Sequence, residues 1–226
     1  MPLIQISAPL LEPVTLAEAK AHLRADPDDI SQDTIIAIYI GMAREAAEQA
    51  CRRSFITQSW MMTMDKFPIP GMETSSANWY GPAWGVGPGP LTVIKPDGKT
   101  QYEIVIPLPP VQTVDSIKYY DTDGTQQTLA ATAYLLDAVS EPGRITPAPG
   151  TTWPSTQNRA NAVEVKFTAG YGLTSASVPN GIKAWMLLRI GDMFENREAV
   201  VMGVRGAVET HPFVDRLLDP YRVVVF

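Results

Sequence analysis

Residues 29–53 read DISQDTIIAIYIGMAREAAEQACRR. Ile35, Tyr39, Met42 and Ala46 recur at i, i+4 and i+7 spacing, and Ile36, Ile40, Ala43 and Ala47 widen the stripe, which is the pattern of an amphipathic helix. Acidic residues at its start and Arg52-Arg53 at its end suit the helix dipole. Gly41 costs helix stability, while glycine and alanine together would permit close helix packing. After Ser54 the period changes. Residues 56–64 are rich in β-formers and methionine, and Phe67-Pro68-Ile69-Pro70-Gly71 closes that strand. A long helix that yields to strands, and later to helix again, reads as an α+β chain.

Upstream, Pro9 and Pro13 mark an extended arm. Thr15-Leu16-Ala17-Glu18 has the capping-box spacing, so a short helix should run to about Arg24 with Leu16, Ala19 and Leu23 on one face. Asp26-Pro27-Asp28-Asp29 ends it and begins the helix of 29–53. Downstream, residues 72–90 carry Gly, Pro, Ser and two Trp without periodicity and read as a long loop. A small hairpin turning at Pro96-Asp97-Gly98-Lys99 would extend it to about residue 100. Strands are expected at 103–106, 111–120, 125–129, 134–136, 144–146 and 162–167, with Asp121-Thr122-Asp123-Gly124 as a hairpin turn. Pro179 suits the first turn of a helix reaching about Glu198; its Trp185-Met186-Leu187-Leu188 run is apolar nearly all round and predicts a central buried helix. Residues 200–210 read as mobile, 212–218 as a short helix, and Arg222-Val223-Val224-Val225-Phe226 as a β-prone tail. No internal repeat appears.

The 226 residues can bury a core as one domain, or as one domain with an inserted one. A net charge of −6 argues against a protein that holds nucleic acid by neutralising phosphates, though an acidic wall would let DNA slide past. The single cysteine, Cys51, cannot pair internally, and neither a signal peptide nor a membrane-length apolar run is present, which leads us to expect a cytoplasm-like solvent.

Catalysis requires converging polar groups, and none are foreshadowed. His22 and His211 belong to no metal-binding spacing and read as surface residues. Cys51 lies beside Arg52 and Arg53, which would lower its pKa, but without a partner base it reads as a helix-packing residue. Asp121-x-Asp123-Gly124 begins like a calcium loop yet lacks the later acidic ligands, and Asp-Gly between strands is a hairpin turn. Asp26, Asp28, Asp29 and Asp33 read as helix-start charges. The glycines at 81–89 and 170–172 do not make a phosphate loop. No catalytic, cofactor-binding or metal-binding residue is assigned.

The order of these segments is similar to a phage family. Glu12-Pro13-Val14-Thr15-Leu16-Ala17-Glu18-Ala19-Lys20-Ala21-His22-Leu23-Arg24 resembles the opening of the gp6-like head–tail connector proteins, nearest to the phiE125 gp8-like branch. Ala43-Arg44-Glu45-Ala46-Ala47-Glu48, Ser54-Phe55-Ile56-Thr57-Gln58-Ser59-Trp60 and Asp65-x-Phe67-Pro68 follow in the same order. So do Trp153-Pro154, Val165-x-Phe167-Thr168-Ala169-Gly170-Tyr171-Gly172, Val178-Pro179 and Leu217-Leu218-Asp219-Pro220-Tyr221-Arg222. Residues 72–100 depart from the pattern, being longer and richer in Gly, Pro and Trp.

The resemblance implies a small antiparallel helical core (1–55 plus 170–226) with a C-terminal arm, an inserted β-rich domain (56–169, including the loop at 71–100) and extended terminal arms. It implies a non-enzymatic neck adaptor without cofactors. Such a subunit forms a dodecameric ring with copies of itself, under the portal protein and above the next neck or tail-completion protein. DNA is passing cargo, and no membrane is involved. The virion neck is its place, and the host cytoplasm its site of assembly. Partner contacts are expected at Trp79, Tyr80 and Trp84 of the long loop, since exposed aromatics anchor interfaces. They are also expected at Tyr221, Arg222, Val223, Val224, Val225 and Phe226, since an unpaired β-prone segment can add to a neighbour's sheet. The alternatives are a tail-completion or other neck protein, and, from another class, an unrecognised enzyme or a non-viral binding module.

Overall fold

A computed structural model describes residues 2–68, 103–196 and 212–223. The chain divides into two compact units, residues 1–8 with 58–169 and residues 9–57 with 170–226. The loop contacts at Trp79, Tyr80 and Trp84, the turn at 96–99, the segment 200–210 and residues Val224–Phe226 lie outside the described residues.

The first unit is built from β1 (Leu3–Ser7), β2 (Gln58–Met64), β3 (Ile104–Ile106), β4 (Val111–Tyr120), β5 (Gln126–Thr128), β6 (Tyr134–Asp137), β7 (Gly143–Pro147) and β8 (Val163–Ala169). They form a five-stranded antiparallel sheet in the order β1-β2-β8-β4-β5 and a three-stranded one in the order β3-β7-β6. β8 shows why the sheet has a core face. Val163, Val165, Phe167 and Ala169 are fully buried, while Glu164, Lys166 and Thr168 between them keep partial access to water. That is the period-two alternation of a half-buried strand. The register puts Met62, Val165 and Ile117 in one row across β2, β8 and β4, and all three are buried. Ile104, Ile106 and Ile145 of the smaller sheet join the same apolar cluster. Each such side chain contributes roughly 1.5–3 kcal/mol by leaving water. Phe67 stacks on Trp153 at 5.0 Å between ring centres and meets Tyr119 edge-on at 5.7 Å. Two motifs far apart in the sequence, Asp65-x-Phe67-Pro68 and Trp153-Pro154, thus close one corner of this core.

The opening segment takes the extended form expected of it. Its residues Leu3–Ser7 are extended, but they pair with β2 as the edge strand of the larger sheet, Leu3 opposite Met62 and Gln5 opposite Trp60. Leu3 packs on the buried cluster, and that burial, together with the ladder hydrogen bonds, draws the segment into the β unit.

The second unit holds α1 (Leu16–Leu23), α2 (Asp33–Cys51), α3 (Asn180–Glu195) and the short α4 (Pro212–Arg216). The capping box forms as expected. Glu18 N donates to Thr15 Oγ1 at 3.2 Å, and Thr15 N donates to Glu18 Oε2 at 2.7 Å. That backbone hydrogen bond holds the Glu18 carboxyl below its ordinary pKa, as does the Lys183 ammonium beside it. α2 begins later than the sequence suggests. Asp26 and Asp29 carboxylates accept from the backbone N–H of Asp28 and Ser31, turns that compete with helix.

Of the two stripes on α2, the core takes the second: Ile36, Ile40, Ala43, Ala47 and Cys51 are buried. Met42 and Ala46 of the other stripe are exposed instead, because only one side of the helix meets α3. α3 likewise is not buried all round. Ile182, Trp185, Met186 and Ile190 face the core, whereas Ala184 and Leu188 face water.

Three polar clamps hold the helices. Lys20, buried, donates to Pro27 O (3.2 Å) and Asp29 O (2.9 Å) and lies 2.5 Å from Asp33 Oδ1. The ammonium fills the turn between α1 and α2 that its four aspartates would otherwise make repulsive. Arg44 bridges Glu12 and Glu48 at 2.9 Å each, and Glu48 in turn accepts from Phe55 N. Trp185 Nε1 donates to Asp215, linking α3 to α4.

The chain leaves this unit at Thr57 and re-enters at Gly170, and the two passages run side by side. Tyr171 N donates to Phe55 O (2.8 Å) and Thr57 N to Gly172 O (3.0 Å), a parallel bridge. Gly170 has φ +137, and a Cβ there would stand 2.6 Å from the backbone of Ile56 and Thr57. Only glycine fits.

Candidate contact surfaces

Among the described residues, Cys51, Asp121 and Asp137 are engaged in structure. Cys51 is buried, and loss of solvation pushes its thiol up to about 11 despite Arg53 and Arg222 nearby, so it is protonated and inert at neutral pH. The Asp121 carboxylate accepts from Asp123 N, Thr125 N and Gln127 Nε2, which makes it the organiser of the β4–β5 hairpin. Gln127, first among these, holds its pKa down. Asp137 does the same at the β6–β7 turn. Its carboxylate takes the Ser140 hydroxyl at 2.6 Å, the backbone N–H of Val139 and Ser140, and Arg144, and hydrogen bonds from Ser140 first of all bring it down to about 2. His22 is exposed on α1, and His211 lies outside the described residues. Among the described residues no group of three or more His, Cys, Asp or Glu could hold a metal ion, and no helix is long and apolar enough to cross a membrane.

What the units do present is surface for partners. Of the expected contact residues, Tyr221, Arg222 and Val223 are described, at the end of α2. Tyr221 is half-buried against the helical core, and its ring lies so near Gly181 that a Cβ there would come within 2.9 Å of the hydroxyl. Its carbonyl accepts from Arg53 Nε. Arg222 is half-exposed and pairs with Asp219 at 3.4 Å. Val223 N donates to Cys51 O at 3.0 Å, pinning the start of the tail to its own unit.

Three surfaces went unforeseen. A groove of about 280 Å³ in the helical unit is lined by Leu11, Glu12, Val14, Leu16, Ala37 and Ile40, and Leu10, next in sequence, is almost fully exposed. On α2 the side turned from the core carries Ile38 and Met42, each half-exposed, with Gly41 flanking Ile38. The sequence held a sign of this face, because residues 35–47 carry more apolar groups than one buried row uses, Ile38 and Met42 among them. In the β unit the edge strand β1 exposes Ile4 and Ile6.

Comparison with known proteins bears on these surfaces. Residues 13–75 match the phage gp6-like head–tail connector protein family. The connector match thus covers the capping box, α1, α2 and β2. Solved structures extend the likeness to the whole chain. A chain from the neck of an empty gene transfer agent particle, computed with C6 symmetry, is 19% identical with a TM-score of 0.71. A chain from the virion of the native particle is 20% identical with a TM-score of 0.70. A chain from the native neck, computed with C12 symmetry, is 19% identical with a TM-score of 0.63. Each alignment covers 100% of this chain and 97% of the other. At such identities the likeness is one of fold, and that fold is α+β with both units included. No curated protein matches the sequence.

Proposed function

We propose that the protein is a structural connector subunit, present in several copies as a ring below the portal, which joins the DNA-filled head to the next neck or tail-completion protein and lets DNA pass. The observation that carries this reading is the full-length fold match to neck chains, coinciding with the connector-family match over residues 13–75. The C6 and C12 symmetries of those necks favour a dodecameric ring or a half-order version of it. A net charge of −6 suits a collar through which DNA slides. Among the described residues Cys51 is spent on packing and Asp121 and Asp137 on hydrogen bonds within turns, as in a structural part.

Within this reading the portal and the tail-side protein meet the loop with Trp79, Tyr80 and Trp84 and the tail after Val223. In this reading Val224, Val225 and Phe226 serve the partner, since Tyr221, Arg222 and Val223 are engaged at the end of α2. The host cytoplasm is where assembly takes place and the virion neck its end point. Deleting the gene tests the function. DNA-filled heads without tails are expected, and normal infectious particles would refute it. Removing residues 224–226 should weaken binding to the portal in a pull-down, and unchanged binding would remove the tail from the interface.

A further inference from the structure

We propose that the outer face of α2 docks antiparallel on the outer face of α3 in a second copy, and that this is the lateral contact of the ring. The inference rests on the ring reading above and names the surface that closes it.

A ring is a heterologous assembly, so each subunit must bring two different faces that point in different directions. α2 and α3 pack against each other through Ile36, Ile40 and Ala43 on one helix and Ile182, Met186 and Ile190 on the other. Their exposed stripes lie on the opposite sides. At 100° per residue, Ile38 and Met42 fall on the side of α2 turned from its buried row, and Ala184 and Leu188 do the same on α3. Each stripe is an i, i+4 apolar pair, the unit from which helix packing is made.

Gly41 supplies the second argument. A Cβ built there meets nothing within 4 Å among the described residues. Nothing in the described chain therefore calls for glycine at a position where, proline apart, it is the poorest helix former. A cost with no internal return points to something that comes close from outside.

Charge selects the direction. Glu45 follows the α2 stripe, and Asp192 and Glu195 follow the α3 stripe. A parallel crossing would set Glu45 against Asp192. The antiparallel crossing sets Ile38 opposite Leu188 and Met42 opposite Ala184, with Glu45 beside Asn180 and Asp192 beside Thr34, so no acidic pair meets.

The test uses particles complemented with variant genes. Met42→Cys with Ala184→Cys, and Ile38→Cys with Leu188→Cys, should each give a ladder of disulfide-linked multimers on mild oxidation, while the four single variants give at most dimers. Cys51 is buried and shared by all, so it adds no background. Gly41→Leu should cut incorporation into particles at least tenfold while the melting temperature of the isolated protein stays at or above that of the wild type. Gly41→Ala should raise that temperature by a few degrees. Particles that contain the protein at normal levels yet give no ladder, or that accept Gly41→Leu as readily as wild type, would overturn the contact and leave the ring reading standing. Absence of the protein from wild-type particles would overturn both.

Discussion

Replacing Gly170 by alanine should destabilise the protein more than the same change at Gly124 or Gly150, the other described glycines with a positive φ. The residue sits at φ +137, where an L side chain is strained by about 1–3 kcal/mol. The added Cβ would also stand 2.6 Å from Ile56 C, Ile56 O and Thr57 N, all backbone atoms that cannot rotate away. The two passages of chain must separate, weakening the Tyr171–Phe55 and Thr57–Gly172 hydrogen bonds, each worth about 1 kcal/mol. The sum is about 3–5 kcal/mol, or roughly 6–20 °C in melting temperature for a chain of this size. Gly150 is the control: its φ is +77 and a Cβ there meets nothing within 4 Å, so only the conformational strain of about 1–2 kcal/mol applies. Urea denaturation followed by circular dichroism gives both values. If Gly170→Ala costs no more than Gly150→Ala, the close approach of the two passages does not hold the unit together, and the reasoning fails.

Lys20→Met should cost about 3 kcal/mol, the lower end for removing one partner of a buried ion pair, because Asp33 keeps partial access to water; the same denaturation curves would read it, and a change below about 1 kcal/mol would show the turn stable without its ammonium. Asp137 has a folded pKa of about 2, below its unfolded value, so its contribution is complete above about pH 4 and is lost as pH falls toward 2. Asp137→Asn should flatten the acid limb of the stability profile over that window, and an unchanged profile would dismiss the turn as an acid-sensitive element. Cys51, buried and protonated, should resist a disulfide reagent at pH 8 in the native protein and react fully in denaturant; rapid native labelling would contradict the packing around the end of α2.

Local rules carried much of the fold. The capping box at Thr15–Glu18, the ten-residue strand Val111–Tyr120, the Asp121–Gly124 turn and the alternation of 163–167 all depend on neighbours in sequence, and all stand where they were expected. Features settled by distant partners were not legible. Nothing within residues 3–7 shows that they pair with β2, and nothing within 35–47 shows which of two apolar stripes faces α3. The Phe67–Trp153 stack joins motifs that the sequence displays separately. The contact residues divide the same way. Tyr221 and Arg222 are placed by the local turn at Asp219–Tyr221, whereas the apolar groove beside Leu11 exists only because the arm, α1 and α2 converge.

The side-by-side passages at Phe55–Thr57 and Gly170–Gly172 have a consequence for how such a chain can change. The ends of the 58–169 excursion are already held one hydrogen bond apart, so a bridge of two or three residues could span them without moving α2 or α3. Once strand β1 is also removed, the helical unit should be separable as a closed piece, and the sheets could be enlarged, trimmed or exchanged as a module. The gate through which the chain passes twice would then let one helical core carry different β modules.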